Sequence, residues 1–231
     1  MILELQKNEI REFLLDKKLS LDILLEVEDH FISQIDYFQI DENLSFENAF
    51  EKTKEIWSKD LQITKYYNGT EISVFAKKIR DREISKLFLK SIVFTLGLLF
   101  SYYLFAEITN KEIFIELSTY FIFILLGIPA LHYFFNIKRF KLSLKHKPLK
   151  LNIFHGSNSL LFFCGFLLIC FGTSFHKLAE RIFGFVENGS SVGIASFILV
   201  GIFLWFYSFG FLLQIAFIQS LKKIQSFLNN M

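Results

Sequence analysis

Sixteen residues from Ser91 to Ala106 carry no charge, and they follow directly on a stretch that holds Lys77, Lys78, Arg80, Arg82, Lys86 and Lys90. This juxtaposition limits what the chain can fold into more than any other feature. Extended back to Leu87, the apolar run reaches the ~20 residues that cross ~30 Å of hydrocarbon. A backbone in lipid has no water to bond to, so the run is expected to be a helix. Residues before the junction read as water-soluble, and residues after it read as membrane.

Three further apolar spans are expected, over residues 113–135, 159–176 and 192–218, besides the first at 87–106. With 52% hydrophobic residues and a mean hydropathy of +0.40, the chain exceeds the usual apolar share of a soluble domain. Only two of its 231 residues are proline, so helices meet few obligatory breaks. Cys164 and Cys170 lie together in the third span, six residues apart, and point in different directions on a helix. They read as small buried hydrophobes with free thiols.

Charge sets the threading. Residues 1–62 hold fifteen acids against seven bases, a net charge of −8, while the remaining 169 residues are at +10. Because the bases flank apolar spans, lipid headgroups and topology account for them better than nucleic acid does. They gather at Lys77–Lys90, at 136–158 (Lys138, Arg139, Lys141 among them) and at Lys222-Lys223. The short connection at 107–112 holds only Lys111. By the positive-inside rule both termini and the 136–158 loop are cytoplasmic. The first residues are too charged for a secretory signal, which agrees. The expectation is a multi-pass protein of the cell membrane.

Ahead of the junction three amphipathic helices are expected. In the first, Leu3, Ile10, Phe13 and Leu14 share a face. Ser20 caps the second, where Leu24, Val27, Phe31, Ile35 and Phe38 form an apolar stripe and Asp22, Glu26, Glu28, Asp29 and Asp36 an acidic face. Ser45 caps the third, with Phe46, Ala49, Phe50, Ile56 and Trp57 inward. A module of about 60 residues is marginal by itself, so it is expected to lean on a further element, the membrane or a partner. Asn68-Gly69 marks a turn. From Glu71 a basic amphipathic helix is expected to run into the first span. A break at Asp81–Ser85 would argue against coupling through it. The fold class is therefore all-α: an acidic helical module at 1–62, a basic connector helix at 63–86, and a membrane domain of four transmembrane helices at 87–231.

The stretch Ile23-Leu-Leu-Glu-Val-Glu-Asp-His-Phe-Ile-Ser-Gln-Ile, followed by Leu44-Ser-Phe-Glu-Asn-Ala-Phe-Glu-Lys, resembles the N-terminal module of a family of uncharacterised bacterial multi-pass membrane proteins. That module is similar to the HAAS-type signalling domain: a Leu-rich helix with an Asp-His pair, a turn, then Ser-Phe-x-x-Ala. The resemblance covers residues 18–62. It implies a cytoplasmic helical domain linked to PadR-type transcriptional regulators, and it brings no catalytic residue with it. Relatives often carry Gly in the turn where this chain has Asn43-Leu44. Asn tolerates the left-handed backbone conformation that Gly supplies.

Candidate partner-binding residues are Glu26, Asp29, His30, Phe46 and Phe50. Membrane-surface bases are Lys77, Lys78, Arg80, Arg82, Lys86, Lys138, Arg139 and Lys141. Asp29 and His30 are adjacent and do not face each other on a helix, whereas Glu26 and His30 do. One Glu-His pair lacks the ligands of a metal site, so a polar helix face competes with an acid/base reading. No acid or base sits near a bilayer centre, where ion-coupled carriers usually need them. His132 and Gln214 are polar exceptions within spans. Gly97 and Ser101, like Gly165 and Gly172, share a face and offer seats for a neighbouring helix. No phosphate loop, nucleophile elbow, zinc spacing or Cys-x-x-Cys occurs, and no cofactor, metal or catalytic residue is expected.

These features favour a non-enzymatic signalling or adaptor protein. Its expected partners are the lipid bilayer, a cytosolic protein such as a PadR-type regulator and, in an oligomer, further copies of the chain. Direct nucleic-acid contact is not expected. A subunit of a transport complex, with a motor docked on the 136–158 loop, is the alternative. A membrane enzyme using Glu26, Asp29 or His30 is the third reading.

Overall fold

The computed structural model describes residues 2–67, 69–145, 150–154 and 175–229. The expected third span lies almost entirely outside them, as do Cys164, Cys170, Gly165 and Gly172. Eight helices and one two-stranded sheet make up the described residues: α1 Glu4–Leu15, α2 Leu21–Asp41, α3 Phe46–Trp57, β1 Ile63–Lys65, β2 Glu71–Ser73, α4 Val74–Ile108, α5 Lys111–Phe135, α6 Ile137–Lys145, α7 Phe175–Asn188 and α8 Ser191–Asn229. The chain divides into two compact units, 1–84 with 142–155 and 219–231, and 85–141 with 156–218.

In the first unit the apolar stripe of α2 is the organising surface. Leu24, Val27, Phe31, Ile35 and Phe38 are all buried, with Ile10 and Leu14 of α1 and Phe46, Ala49 and Phe50 of α3. Aromatic rings link the helices: Phe13 lies 6.0 Å from Phe31 and 5.9 Å from Phe50, Phe31 lies 5.5 Å from Trp57, and Trp57 lies 5.3 Å from Phe75. Such offset and edge contacts add to the area buried. Ser45 caps α3 as expected, its hydroxyl accepting from the Asn48 amide at 3.3 Å. Asn43 adopts φ +51°, a left-handed conformation that Asn tolerates better than most residues.

Three expectations for this unit need correction. Leu3 is 64% exposed and Ile56 is 52% exposed; Thr53 takes the inward place on α3 and returns its hydroxyl to the Ala49 carbonyl at 2.8 Å. Glu28, expected on the acidic face, is buried. The connector is not helical throughout. Residues Ile63–Lys65 pair antiparallel with Glu71–Ser73, around a turn in which Gly69 takes φ +79°. The helix consequently starts at Val74 rather than Glu71. Its first free amides are met locally: Val74 donates to the Gln62 carbonyl at 2.9 Å, Phe75 to that of Asp60 at 2.8 Å, and Ala76 to the Ser73 hydroxyl at 3.1 Å. From there α4 is unbroken through Asp81–Ser85 to Ile108.

The core of this unit is completed by chain that lies far away in sequence. Leu151, Ile153, Phe154, Leu221 and Ile224 are all buried here. The amides of Leu21 and Asp22 donate to the carbonyls of Lys150 and Leu151 at 2.8 and 3.3 Å. The support that a 60-residue module needs thus comes from residues 150–154 and from the end of α8.

In the second unit, Ala106, Phe114, Ile115, Ala179 and Ile182 form the core, with Tyr102 and Phe105 against it. Asn110 caps α5, accepting from the Ile113 amide at 2.9 Å. Among the described residues three helices are long and apolar enough to cross a membrane, over Val74–Ile108, Lys111–Phe135 and Ser191–Gln225. Residues 177–188 and 137–145, expected to be loops, are helical. Leu178, Ala179, Ile182, Phe183 and Val186 recur at helical spacing and bury one side of α7. Between α7 and α8 the backbone turns at Gly189, φ +66°. There Gly193 comes so close that a Cβ would meet Phe185 Cβ at 2.5 Å as well as the Arg181 carbonyl oxygen.

Candidate functional site

Glu26, Asp29 and His30 stand exposed on α2, on the side away from its buried stripe. The same exposed row continues through Ser33, Tyr37 and Ile40, the last two 55% and 71% exposed. Helical spacing of three and four brings these residues into line. The His30 ring lies 6.3 Å from that of Trp57, and the Trp57 indole donates to Gln34 Oε1 at 2.8 Å, which fixes the flank of the row. Phe46 and Phe50 are placed differently. Both are buried and stack on each other at 5.6 Å, so they support the helix from beneath and are not available to a partner. Among the described residues no group of three or more His, Cys, Asp or Glu could hold a metal ion.

The bases divide into two sets. Lys78 pairs with Asp60 at 2.8 Å, Arg80 lies 4.2 Å above the Tyr66 ring, and Lys77 lies 5.4 Å from that of Tyr67. Arg80 and Lys77 hold the hairpin turn to α4 by cation–π contacts, and Lys78 ties α4 to the residue three before β1. Arg82 sits 3.7 Å from Glu83 and is exposed, as is Lys86. On α6, Lys138 and Lys141 are exposed on one side, while Arg139 turns back to Asn136 Oδ1 at 2.7 Å.

Two carboxylates that belong to the acidic pattern have other work. Glu28 accepts from Arg11 through both oxygens, at 3.1 Å from Nε and 2.7 Å from Nη2, a forked pair that clamps α1 to α2. The Glu28 carboxylate beside it raises the Arg11 guanidinium above its ordinary value. Asp22 gathers donors from three separate stretches of chain. It accepts from Ser20 Oγ at 2.5 Å, the Ile23 amide at 2.9 Å, the Ile153 amide at 3.4 Å and Ser220 Oγ at 2.8 Å. Burial pushes its carboxyl up, against the lowering effect of these hydrogen bonds. Periodicity gives no sign of this role, because the partners lie 131 and 198 residues away.

Within the second unit, polar side chains meet where proline interrupts α5. Pro129 has no amide hydrogen, so the carbonyl of Leu125 loses its helical donor. Tyr207 of α8 supplies its hydroxyl to that oxygen. Gln214, also buried, donates to the Pro129 carbonyl at 3.3 Å and stands 3.0 Å from His132 Nδ1. His132 and Gln214 therefore belong to one bonded group. Elsewhere in the unit Tyr102 donates to Ser118 at 2.9 Å, and Thr95 lies 3.4 Å from Ser208. A narrow apolar cavity of about 50 Å³ lies beside Tyr102, Leu125, Ala179 and Tyr207. Gly97, expected to seat a neighbouring helix, has open space beside it among the described residues; Gly201 is the seat, its Cβ position 3.0 Å from Leu99. No protein-family model, no curated protein and no solved structure matches this chain.

Proposed function

We propose that the protein is a multi-pass membrane adaptor, threaded with both termini in the cytoplasm, whose first unit binds a cytosolic protein through the row Glu26–Asp29–His30–Ser33–Tyr37–Ile40. The observation that carries this reading is the exposure of that whole row on a helix otherwise locked into a core. Its mixture of acids with exposed Tyr37 and Ile40 suits a partner face that offers bases around an apolar centre. The loop charges support the threading. The resemblance of residues 18–62 to a HAAS-type module supports a regulator of PadR type as the partner class.

A photo-cross-linking residue at Ser33 of the full-length protein in cells tests this. The expected result is one identified cytosolic adduct that Glu26→Lys with Asp29→Lys abolishes. Absence of an adduct, or an adduct indifferent to those two changes, overturns the reading.

A further inference from the structure

We propose that Asp22 is a latch that makes the end of α8 and the 150–154 stretch move with the start of α2. This regulates the face assigned above and rests on that assignment. Four hydrogen bonds converge on the Asp22 carboxylate, two from its own turn and one each from Ile153 and Ser220. Two more run between backbones, from Leu21 and Asp22 to Lys150 and Leu151. Leu151 and Leu221, fully buried in the same unit, add apolar area to the closure. Asp22 is one turn before Glu26, so whatever displaces the carboxylate acts on the first turn of the helix that carries the exposed row. Helix α8 is a candidate span and runs unbroken from Ser191 to Asn229, with Ser220 toward its C-terminal end. A shift or rotation of the end of that helix therefore reaches the first turn of α2 through the Ser220–Asp22 hydrogen bond.

Such a device needs a bistable contact rather than a permanent weld. Hydrogen bonds to one half-buried carboxylate fit, because each is strong enough to hold and few enough to release together. Ser20 and Ile23 belong to the same turn as Asp22 and keep the carboxylate in place if the other two donors leave. Asp22 is thus a positioning residue and does not itself contact the partner.

Hydrogen exchange on the full-length protein in lipid nanodiscs tests the latch without any partner. Asp22→Ala is expected to speed exchange about tenfold in 150–154 and in 219–225 together, while 46–57 stays protected. Ser220→Ala, a milder change, is expected to loosen 150–154 as well as its own helix. Exchange that rises in only one stretch, or in neither, overturns the latch. Loss of protection in 46–57 with Asp22→Ala transfers the decision to Ser220→Ala, read in the same way. The regulatory part is read from the Ser33 cross-link. A yield altered at least threefold by Asp22→Ala supports it, and an unchanged yield overturns it. Failure of the wild-type protein to cross-link overturns the assigned face and leaves the exchange result standing.

Discussion

Tyr207 donates its hydroxyl to the carbonyl oxygen of Leu125, the acceptor that Pro129 leaves without a helical donor four residues later. The proline and the tyrosine are thus one structural unit spread over two helices. Tyr207→Phe should cost about 1 kcal/mol, since the orphaned carbonyl has no water to turn to. In a Pro129→Ala background the amide at position 129 returns and the cost of Tyr207→Phe should fall toward zero. Unfolding in bicelles with added detergent, run as a double-mutant cycle, measures the difference.

Gly193→Ala places a methyl group against the Arg181 carbonyl and 2.5 Å from Phe185 Cβ, so the turn joining α7 and α8 must open. A loss of about 2 kcal/mol is expected, because backbone cannot move aside as a side chain can. Gly201→Ala meets only the end of Leu99, at 3.0 Å, and should cost about half as much or less. The same bicelle experiment ranks the two.

The forked Arg11–Glu28 pair has one buried and one partly exposed member. Arg11→Met strands the Glu28 carboxylate and should destabilise the first unit by about 2 kcal/mol, less than a wholly buried pair would lose. Adding Glu28→Gln to Arg11→Met should recover part of that loss. Thermal melts of the three variants against wild type check both statements.

Asp22 gives the first unit a pH dependence of defined sign. Burial raises its carboxyl above the ordinary value, so the folded state binds a proton more tightly than the unfolded one. Its contribution to stability is therefore greatest below the unfolded value of about 4 and declines as pH rises through the folded value. Comparing wild type with Asp22→Asn in melting temperature against pH should show this decline in wild type alone.

Asn43 at φ +51° predicts that Asn43→Gly is neutral or slightly stabilising, whereas Asn43→Ala costs about 1 kcal/mol. Denaturant midpoints of the two variants settle the order.

The apolar stripe of α2 was legible because five large residues at steps of three and four admit no other burial. The cap Ser45, the turn at Gly69 and the left-handed Asn43 follow from local chemistry in the same way, whereas Ser20 holds the N-cap position of α2 but gives its hydroxyl to Asp22 and caps no amide. Glu28 and Asp22 belong to the acidic face by periodicity yet are covered in the fold, since periodicity shows which side of a helix is apolar but not what other chain covers its flank. The strands of the hairpin are three residues each, too short for alternation to register. Helices α6 and α7 carried clear spacing, at Leu178–Ala179–Ile182 for instance, yet their charges marked them as connections between spans. Charge places a segment outside the apolar stretches; it does not make it a loop. Phe46 and Phe50 show the converse: their inward spacing already argued against a role on the surface.

The closing of the first unit by residues 150–154 and 219–229 also has a consequence for biosynthesis. The ribosome delivers α1, α2 and α3 first, but of the stretches that seal their core, 150–154 follows two candidate spans and 219–229 comes at the end of α8. The N-terminal unit must therefore wait, incompletely packed, while the chain between is made. Its packing then depends on the end of α8, so a chain cut short before residue 219 carries an open module that proteases can recognise.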